Sequence, residues 1–440
     1  MTEIITTLEL LRPLLSPCEF RQLTLIIEAT LAMTGRVTML GMSRWAEKGG
    51  SYRTIQRFFN GTYDWSKLRW ALIRHHPGIK GTGGIWLIAG DEVVVTKSGK
   101  QTHGLAKFYS SLQKQPVAGL CFLNLSLVNV GTRQSYPLVA EQLVRDEAKE
   151  TAPKAVQKKA KNGKAGRPKG SKNKNRSEVG FSAFQLQLQG CIQQALLLLG
   201  CDIRPSYFLY DGALGNNAGL QLVKQKGLHL ISKLRHDSKL YFQYAGPYAG
   251  RGAPQKYGDR VTVEKLADQY LCLKTVEKNI ETCFYQVQAR HRHFPDLLNV
   301  VVIVKTNLKT SKSAKALLFS DDLELAYDKL VDYYRLRFRI EFNFRDAKQY
   351  WGLEDFMNIK EGQVGNAANF SLFMVTCSQL LLPQIKGLDN DSILDLKTVF
   401  RARKYTRRII NSLGIKSDGF LIDDRIFQAA EIGRIHDMAA

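Results

Sequence analysis

Apolar residues recur at helical spacing through FRQLTLIIEATLAM and again through SYRTIQRFFNG, so residues 1 to about 80 read as a helical N-terminal domain. Ser51 stands where it would cap the second of these helices, which presents Arg53, Gln56 and Arg57. Such a face suits a DNA-reading helix or an ordinary solvated surface helix. From Ile85 the period changes to that of strands in IWLIAGDEVVVT, AGLCFLNLSLVNV and RQSYPLVAEQLV, each closed by Gly or polar turns. A helix in FQLQLQGCIQQALLLLG, a strand in RPSYFLYDG, a helix in GNNAGLQLVKQKG and a strand in LHLISKL follow. The order βββαβαβ predicts an α/β fold, a mixed sheet with helices on its faces and the first three strands as a meander.

Beyond this first core segment, residues 85–233, the stretch 234–322 carries more strand-like runs, among them YLCLKTVE, TCFYQVQAR and NVVVIVKT, and reads as a β-rich insertion. One long helix is expected from about Leu323 to Gln349 and another from about Glu361 to Leu382, so that residues 323–382 complete the core. Residues 383–440 form a C-terminal helical region with a basic patch, RARKYTRR, at 401–408. Between the third strand and the first core helix lies a linker, residues 149–176, with eleven basic residues and one acidic. Its centre, GRPKGSK, sets Arg167 and Lys169 around a Pro that keeps the backbone extended, as in arms that lie in a minor groove. A solvated basic linker is the alternative, and DNA contact is favoured over it because the rest of the chain also points to DNA.

Charge narrows the partner: 63 Lys and Arg against 40 Asp and Glu leave a formal +23, which points first to nucleic acid. The seven Cys form no CxxC pair, which speaks against a zinc knuckle or disulfide framework. Glu3 and Glu9 precede any apolar run and LNVVVIV is far too short to span a bilayer, so a soluble cytoplasmic, nucleoid-associated protein with no membrane partner is expected.

Asp91 interrupts an apolar strand, where an ionised carboxylate is costly unless a cation or hydrogen bonds meet it. Glu92 faces the other side of that strand and is the alternative. Asp211 closes the strand YFLYD before a Gly-rich turn, where open α/β sheets bind ligands, though a capping role is equally open. In YYRLRFRIEFNFRDAKQYW, wound at 100° per residue, Tyr333, Leu336, Ile340, Phe344, Ala347 and Trp351 form an apolar side. Beside it Tyr334, Arg337, Arg345 and Lys348 flank a single acid, Glu341, over about 21 Å of axis. That row suits a phosphate backbone or a set of surface ion pairs. Three carboxylates about 4 Å apart repel by roughly 4 kcal/mol per pair at an effective dielectric of 20 and so call for divalent cations. Two Mg²⁺ ions there would activate water and stabilise the leaving 3′ oxygen.

Tyr334, Arg337, Glu341 and Lys348 fit the spacing Y-x2-R-x3-E-x6-K, and with LIAGDEVVVTKSG and YFLYDGALGN upstream the chain resembles the bacterial insertion-sequence DDE transposases. The resemblance runs from about Ile85 to Leu382 and implies a ribonuclease-H-like catalytic domain with Asp91, Asp211 and Glu341 as ligands of two Mg²⁺ ions, which Mn²⁺ would replace. It implies that Tyr334, Arg337 and Lys348 hold phosphates; from the residues themselves Arg345, Lys97, Arg167 and Lys169 are expected as further DNA contacts, with a solvated turn equally open for Lys97. Cut-and-paste transposition on double-stranded inverted-repeat ends and target DNA, by a synaptic homodimer, is the implied activity. In several members an aromatic of the insertion holds a flipped base during a hairpin step. Here the five Trp lie outside the insertion, leaving Tyr241, Phe242 or Tyr244 for that task. His103 near Lys97, and His291 with His293, fit solvated positions as well as functional ones. A nuclease on the same fold and a non-catalytic DNA-binding descendant are the rival readings.

Overall fold

The first core strand, β1 (Trp86–Thr96), is an apolar run broken by a Gly-Asp-Glu step. It pairs antiparallel with β3 (Gln115–Asn129), Asp91 opposite Asn124, and parallel with β5 (Tyr207–Leu209), Ile88 opposite Phe208 and Ala89 opposite Leu209. Alternation then sorts its side chains. Leu87 and Ala89 join a cluster with Leu209, Ile231, Tyr333 and Leu336, while Val93 and Val95 join a second one with Ile340, Phe344 and Ala347. Ile88 faces the opposite layer, with Cys191, Ile192 and Leu220. Asp91 is therefore the break in the odd-numbered row, at the seam between two cores.

The computed structural model describes residues 2–46, 48–75, 84–110, 114–145, 175–248, 250, 252–262, 266, 268–385 and 392–413. Arg167 and Lys169, with most of the basic linker, lie outside the described residues. The sheet continues outward from β1 through β3 to two edge partners, β2 (Ala106–Ser110) and β4 (Ser135–Leu143). The expected meander is β1, β3 and β4; β2 is an added short hairpin strand that five residues of AKFYS did not announce. On the other side, β5 and β6 (His229–Leu234) run parallel to β1, connected through helices α6 (Ala183–Leu199) and α7 (Asn217–Lys224). A mixed α/β sheet of ribonuclease-H type results.

Residues 234–322 extend this same sheet. From β6 it passes to β12 (Ser313–Ser320), β11 (Leu297–Asn307) and β10 (Ile280–His291), which is bordered by β9 (Leu271–Glu277) at one end and β7 (Leu240–Gln243) at the other, with β8 (Tyr257–Arg260) outermost. The backbone edge of β6 is satisfied by β12, so the insertion covers an edge that would otherwise be exposed.

Among the described residues five α-helices precede β1: α1 (Thr2–Glu9), α2 (Pro17–Ala32), α3 (Met39–Trp45), α4 (Tyr52–Phe59) and α5 (Trp65–Arg74). Ser16 with Glu19 caps α2 reciprocally and Ser51 caps α4, leaving Arg53 and Arg57 exposed. Their apolar faces share one cluster with α10 (Glu361–Leu381) and α11 (Ile393–Ser412). Polar ties reinforce this packing. Fully buried Arg69 donates to the Leu138 carbonyl at 3.1 Å and to Asn369 Oδ1 at 2.9 Å, and burial pulls its pKa down to about 9. On α11, Lys397 donates to the Thr30 carbonyl at 2.7 Å and stands 4.9 Å from the Trp351 ring, with burial lowering its pKa to about 7. Among the described residues no helix is long and apolar enough to cross a membrane.

Instead of one helix from 323 to 349, the chain forms α8 (Tyr327–Leu336) and α9 (Arg339–Tyr350). The junction is overwound: Arg337, Phe338, Ile340 and Glu341 each donate an amide to the carbonyl three residues earlier. The cause lies in the two clusters above β1. Tyr333 and Leu336 pack in the first and Ile340, Phe344, Ala347 and Trp351 in the second, and one straight stripe does not serve both.

At Gly90 a Cβ would lie 2.9 Å from Phe208 Cζ and from Tyr210 ring carbons, both in buried side chains. Gly90→Ala is therefore expected to destabilise the protein by about 1–3 kcal/mol. The midpoint of urea unfolding measures this, and an unchanged midpoint would show that the rings give way freely.

Candidate active site

Carrying the β1–β5 register forward by two residues sets Asp91, midway along β1, level with Asp211, which stands just past the carboxyl end of β5. Asp211 caps the short turn Gly212–Leu214, accepting from the Ala213 amide at 2.8 Å. Glu92 points to the other sheet face and accepts from the Tyr210 hydroxyl at 2.7 Å. Of the neighbouring acids in β1, Asp91 is the one that faces the α8–α9 junction.

There the overwound turn aims Arg337 at the sheet. Its Nη1 lies 2.7 Å from Asp91 Oδ2 and its Nη2 3.3 Å from Glu341 Oε1, so one guanidinium joins the two acids. Burial by itself would lower the pKa of Arg337, yet the charges of Asp91, Tyr334, Glu341 and Asp211 leave it raised. The Asp91 carboxyl is pushed up to about 6 by burial, held back by Arg337 and by the Glu92 amide, and raised again by Asp211 and Glu341. Three acids and one arginine thus share a single electrostatic environment. Burial also raises the pKa of Tyr334, whose hydroxyl bonds to Arg337 and feels Asp211 and Asp91. Because α9 begins at Arg339, Glu341 sits in its first turn, where the helix dipole favours a carboxylate.

The remaining candidate cations are engaged with protein. Lys348 Nζ donates to the Val94 carbonyl at 2.8 Å and pairs with Glu354 at 2.9 Å, pinning α9 to β1. Lys97 donates to the Phe356 carbonyl at 2.7 Å, lies 3.5 Å from that ring's centre, and has its pKa lowered to about 8 by burial. Arg345 is exposed, paired with Asp346 at 3.0 Å and 4.9 Å from the Phe342 ring. His103 stands 3.7 Å from Glu361, and burial with nearby His293 and Arg176 lowers the pKa of His291 at the far end of β10. Tyr241 and Phe242 of β7 lie at that same far end, since Tyr241 pairs with Arg290.

Two features went unread in the sequence. Phe338 is 51% exposed at the helix junction, edge-on to Phe342 at 5.5 Å, which leaves an apolar ring beside the acids. Beneath them, buried Asn343 of α9 donates to Ser126 Oγ at 3.3 Å and Ser135 Oγ at 2.9 Å, and Asn124 donates to the same Ser126 at 3.2 Å. The signal was present as Asn and Ser inside the apolar strand LNLSLVNV. This network sets the height of α9 over the sheet, since hydrogen bonds have direction where apolar contacts do not.

Oxygen donors of this kind match the preference of Mg²⁺ and Mn²⁺, and among the described residues Arg337 is the cation that meets the charge of Asp91. Among the described residues, no three His, Cys, Asp or Glu side chains stand close enough to hold one ion. In class, this mixed sheet flanked by helices is a ribonuclease-H-like protein. A family model described as DDE superfamily endonuclease matches residues 11–293, and the chain belongs to that family. The match includes Asp91 and Asp211 and ends before Glu341. A search of curated proteins returned no match. Membership implies nuclease-type chemistry on DNA, in a family that typically uses divalent metal ions.

The folded carboxyl of Asp91 titrates at about 6 against an ordinary 3.8, so the native state holds this proton more tightly than the unfolded chain does. In metal-free buffer its contribution to stability is full below 3.8 and is lost as pH rises through about 6. Asp91→Asn should flatten that decline in a pH series of urea unfolding curves; a decline of the same depth would place the proton elsewhere. Asn343→Ala leaves the buried Ser135 hydroxyl without its donor and should cost about 1–3 kcal/mol in the same assay.

Proposed function

We propose that this protein is a cut-and-paste DNA transposase acting on the inverted-repeat ends of its own mobile element, with Asp91, Asp211 and Glu341 holding two Mg²⁺ ions for which Mn²⁺ substitutes. The observation that supports the reading is one guanidinium, Arg337, bonded to both Asp91 and Glu341 at the overwound helix junction, with Asp211 level with Asp91 just past the end of β5. When bound, the ions would polarise the scissile phosphate and lower the pKa of the attacking water. Tyr334 and Arg337, both half-buried against the acids, would orient the phosphate, and the exposed turn of Arg345 would meet the DNA further along α9. Lys348 and Lys97 act first as ties that hold α9 and the following loop to β1, so their part in DNA contact is indirect in this arrangement. The excess of positive charge, +23, supports duplex DNA as the partner, with Arg167 and Lys169 of the linker as an arm along it. A homodimer that pairs two element ends, working in the cytoplasm at the nucleoid, completes the reading. The rival reading, a nuclease on the same fold, shares the acids and lacks strand joining.

A strand-transfer assay on duplexes carrying the genomic sequences that flank this reading frame separates the two. Joined product supports the transposase, whereas hydrolysis with no joined product would overturn it in favour of the nuclease. Glu341→Gln is expected to lower turnover by at least two orders of magnitude while leaving DNA affinity within a few-fold. Retained cutting in that variant would remove Glu341 from the site.

A further inference from the structure

Leu317 of β12 lies opposite Leu234, the last residue of β6, so residues 313–316 run past the end of β6 by about 13 Å. The same overhang continues through the sheet. Val302 pairs with Leu317 and Tyr285 with Val302, which leaves residues 303–307 of β11, residues 280–284 of β10 and nearly all of β9 beyond that line. Because β5 and β6 run parallel to β1, the overhang extends beyond the level of Asp91 and Asp211. The result is a four-stranded β-arm rising from the active-site edge of the sheet.

This arm is basic. It carries Lys274, Lys278, Lys305, Lys309, Lys312 and Lys315 against Glu277 and Glu281, with no Arg. Lys274 pairs with Glu281 at 2.6 Å, while the other five are exposed and have no acidic partner among the described residues. Two turns form the tip. Leu308 donates its amide to the Asn279 carbonyl at 2.8 Å, which draws the turn of Lys278 against the turn of Lys309 and Lys312. In register, Lys274 and Lys315 share one face across β10 and β11, about 14 Å apart, and Lys305 lies on the opposite face.

We infer that this arm is a second DNA-binding surface, which grips the phosphate backbone of duplex DNA where it leaves the active site. Lysines are compact point charges that suit phosphates and lack the planar fork used to read base edges, so the grip is independent of sequence. Leu273, Val276, Ile280 and Leu308 are exposed between the charges, which makes a second copy of the chain the competing occupant. The inference rests on the DNA-handling reading of the site, and its test is separable from that reading.

The probe is a duplex of about 40 base pairs of arbitrary sequence, bound over a range of salt concentrations. Replacing Lys305, Lys309, Lys312 and Lys315 by Gln should reduce the log-log salt slope by roughly 0.9 for each phosphate no longer neutralised and weaken binding at low salt at least tenfold. The four Lys→Arg replacements should restore both, and Glu341→Gln should leave the slope unchanged. A quadruple Gln variant that folds with wild-type circular dichroism and keeps the full slope would overturn the inference. So would one that keeps the slope but shifts the oligomeric state in sedimentation. Loss of slope together with failure of strand transfer in the wild type would retain the arm and reject the transposase; an intact slope with intact strand transfer would reject the arm alone.

Discussion

The structure turns on a desolvated carboxylate. Asp91 stands in an apolar strand between two cores, and the cost of burying its charge is offset in part by one guanidinium 2.7 Å away. That guanidinium is available only because the chain overwinds at Arg337 and Phe338. A continuous helix would carry one apolar stripe straight over β1; the two clusters on either side of Asp91 require the stripe to turn as it passes. The junction also starts a new helix at Arg339, which brings Glu341 into a first turn and under a favourable dipole. A packing conflict and an electrostatic need are resolved by the same overwound turn.

The N-terminal helices bear on this geometry at a distance. Their apolar faces are buried with α9, α10 and α11 rather than among themselves alone, and Trp65, Arg69 and Lys397 each cross from one part of the chain to another through a directed polar bond. α9 is thereby held from above by the helices and from below by Asn343, Lys348 and the strand face. Through this shared packing α2 through α5 are joined mechanically to α9. The insertion is coupled in a different way. By continuing the sheet from β6, it fixes the direction of its own overhang relative to the level of Asp91 and Asp211.

Much of the architecture was legible along the chain. Period-2 runs marked β1, β3 and β4, the alternation of helix and strand that follows marked the mixed sheet, and an acid inside an apolar strand marked Asp91 as a residue needing a partner. The spacing of Tyr334, Arg337, Glu341 and Lys348 was equally visible, since a motif is a statement about sequence distance. What those side chains touch was not. Lys348 and Lys97 look like phosphate grips in a one-dimensional reading, yet each is occupied by backbone carbonyls brought there from hundreds of residues away.

The chain by itself thus determined its element types, its candidate acids and its basic character, because periodicity, residue chemistry and charge are local or additive quantities. Tertiary structure decided where the signature helix breaks, which cation compensates Asp91, that the N-terminal helices share a core with α9, and that the insertion lengthens the sheet instead of standing apart. Each of these depends on two surfaces meeting with a particular shape, and steric fit between distant segments leaves no periodic trace in either of them.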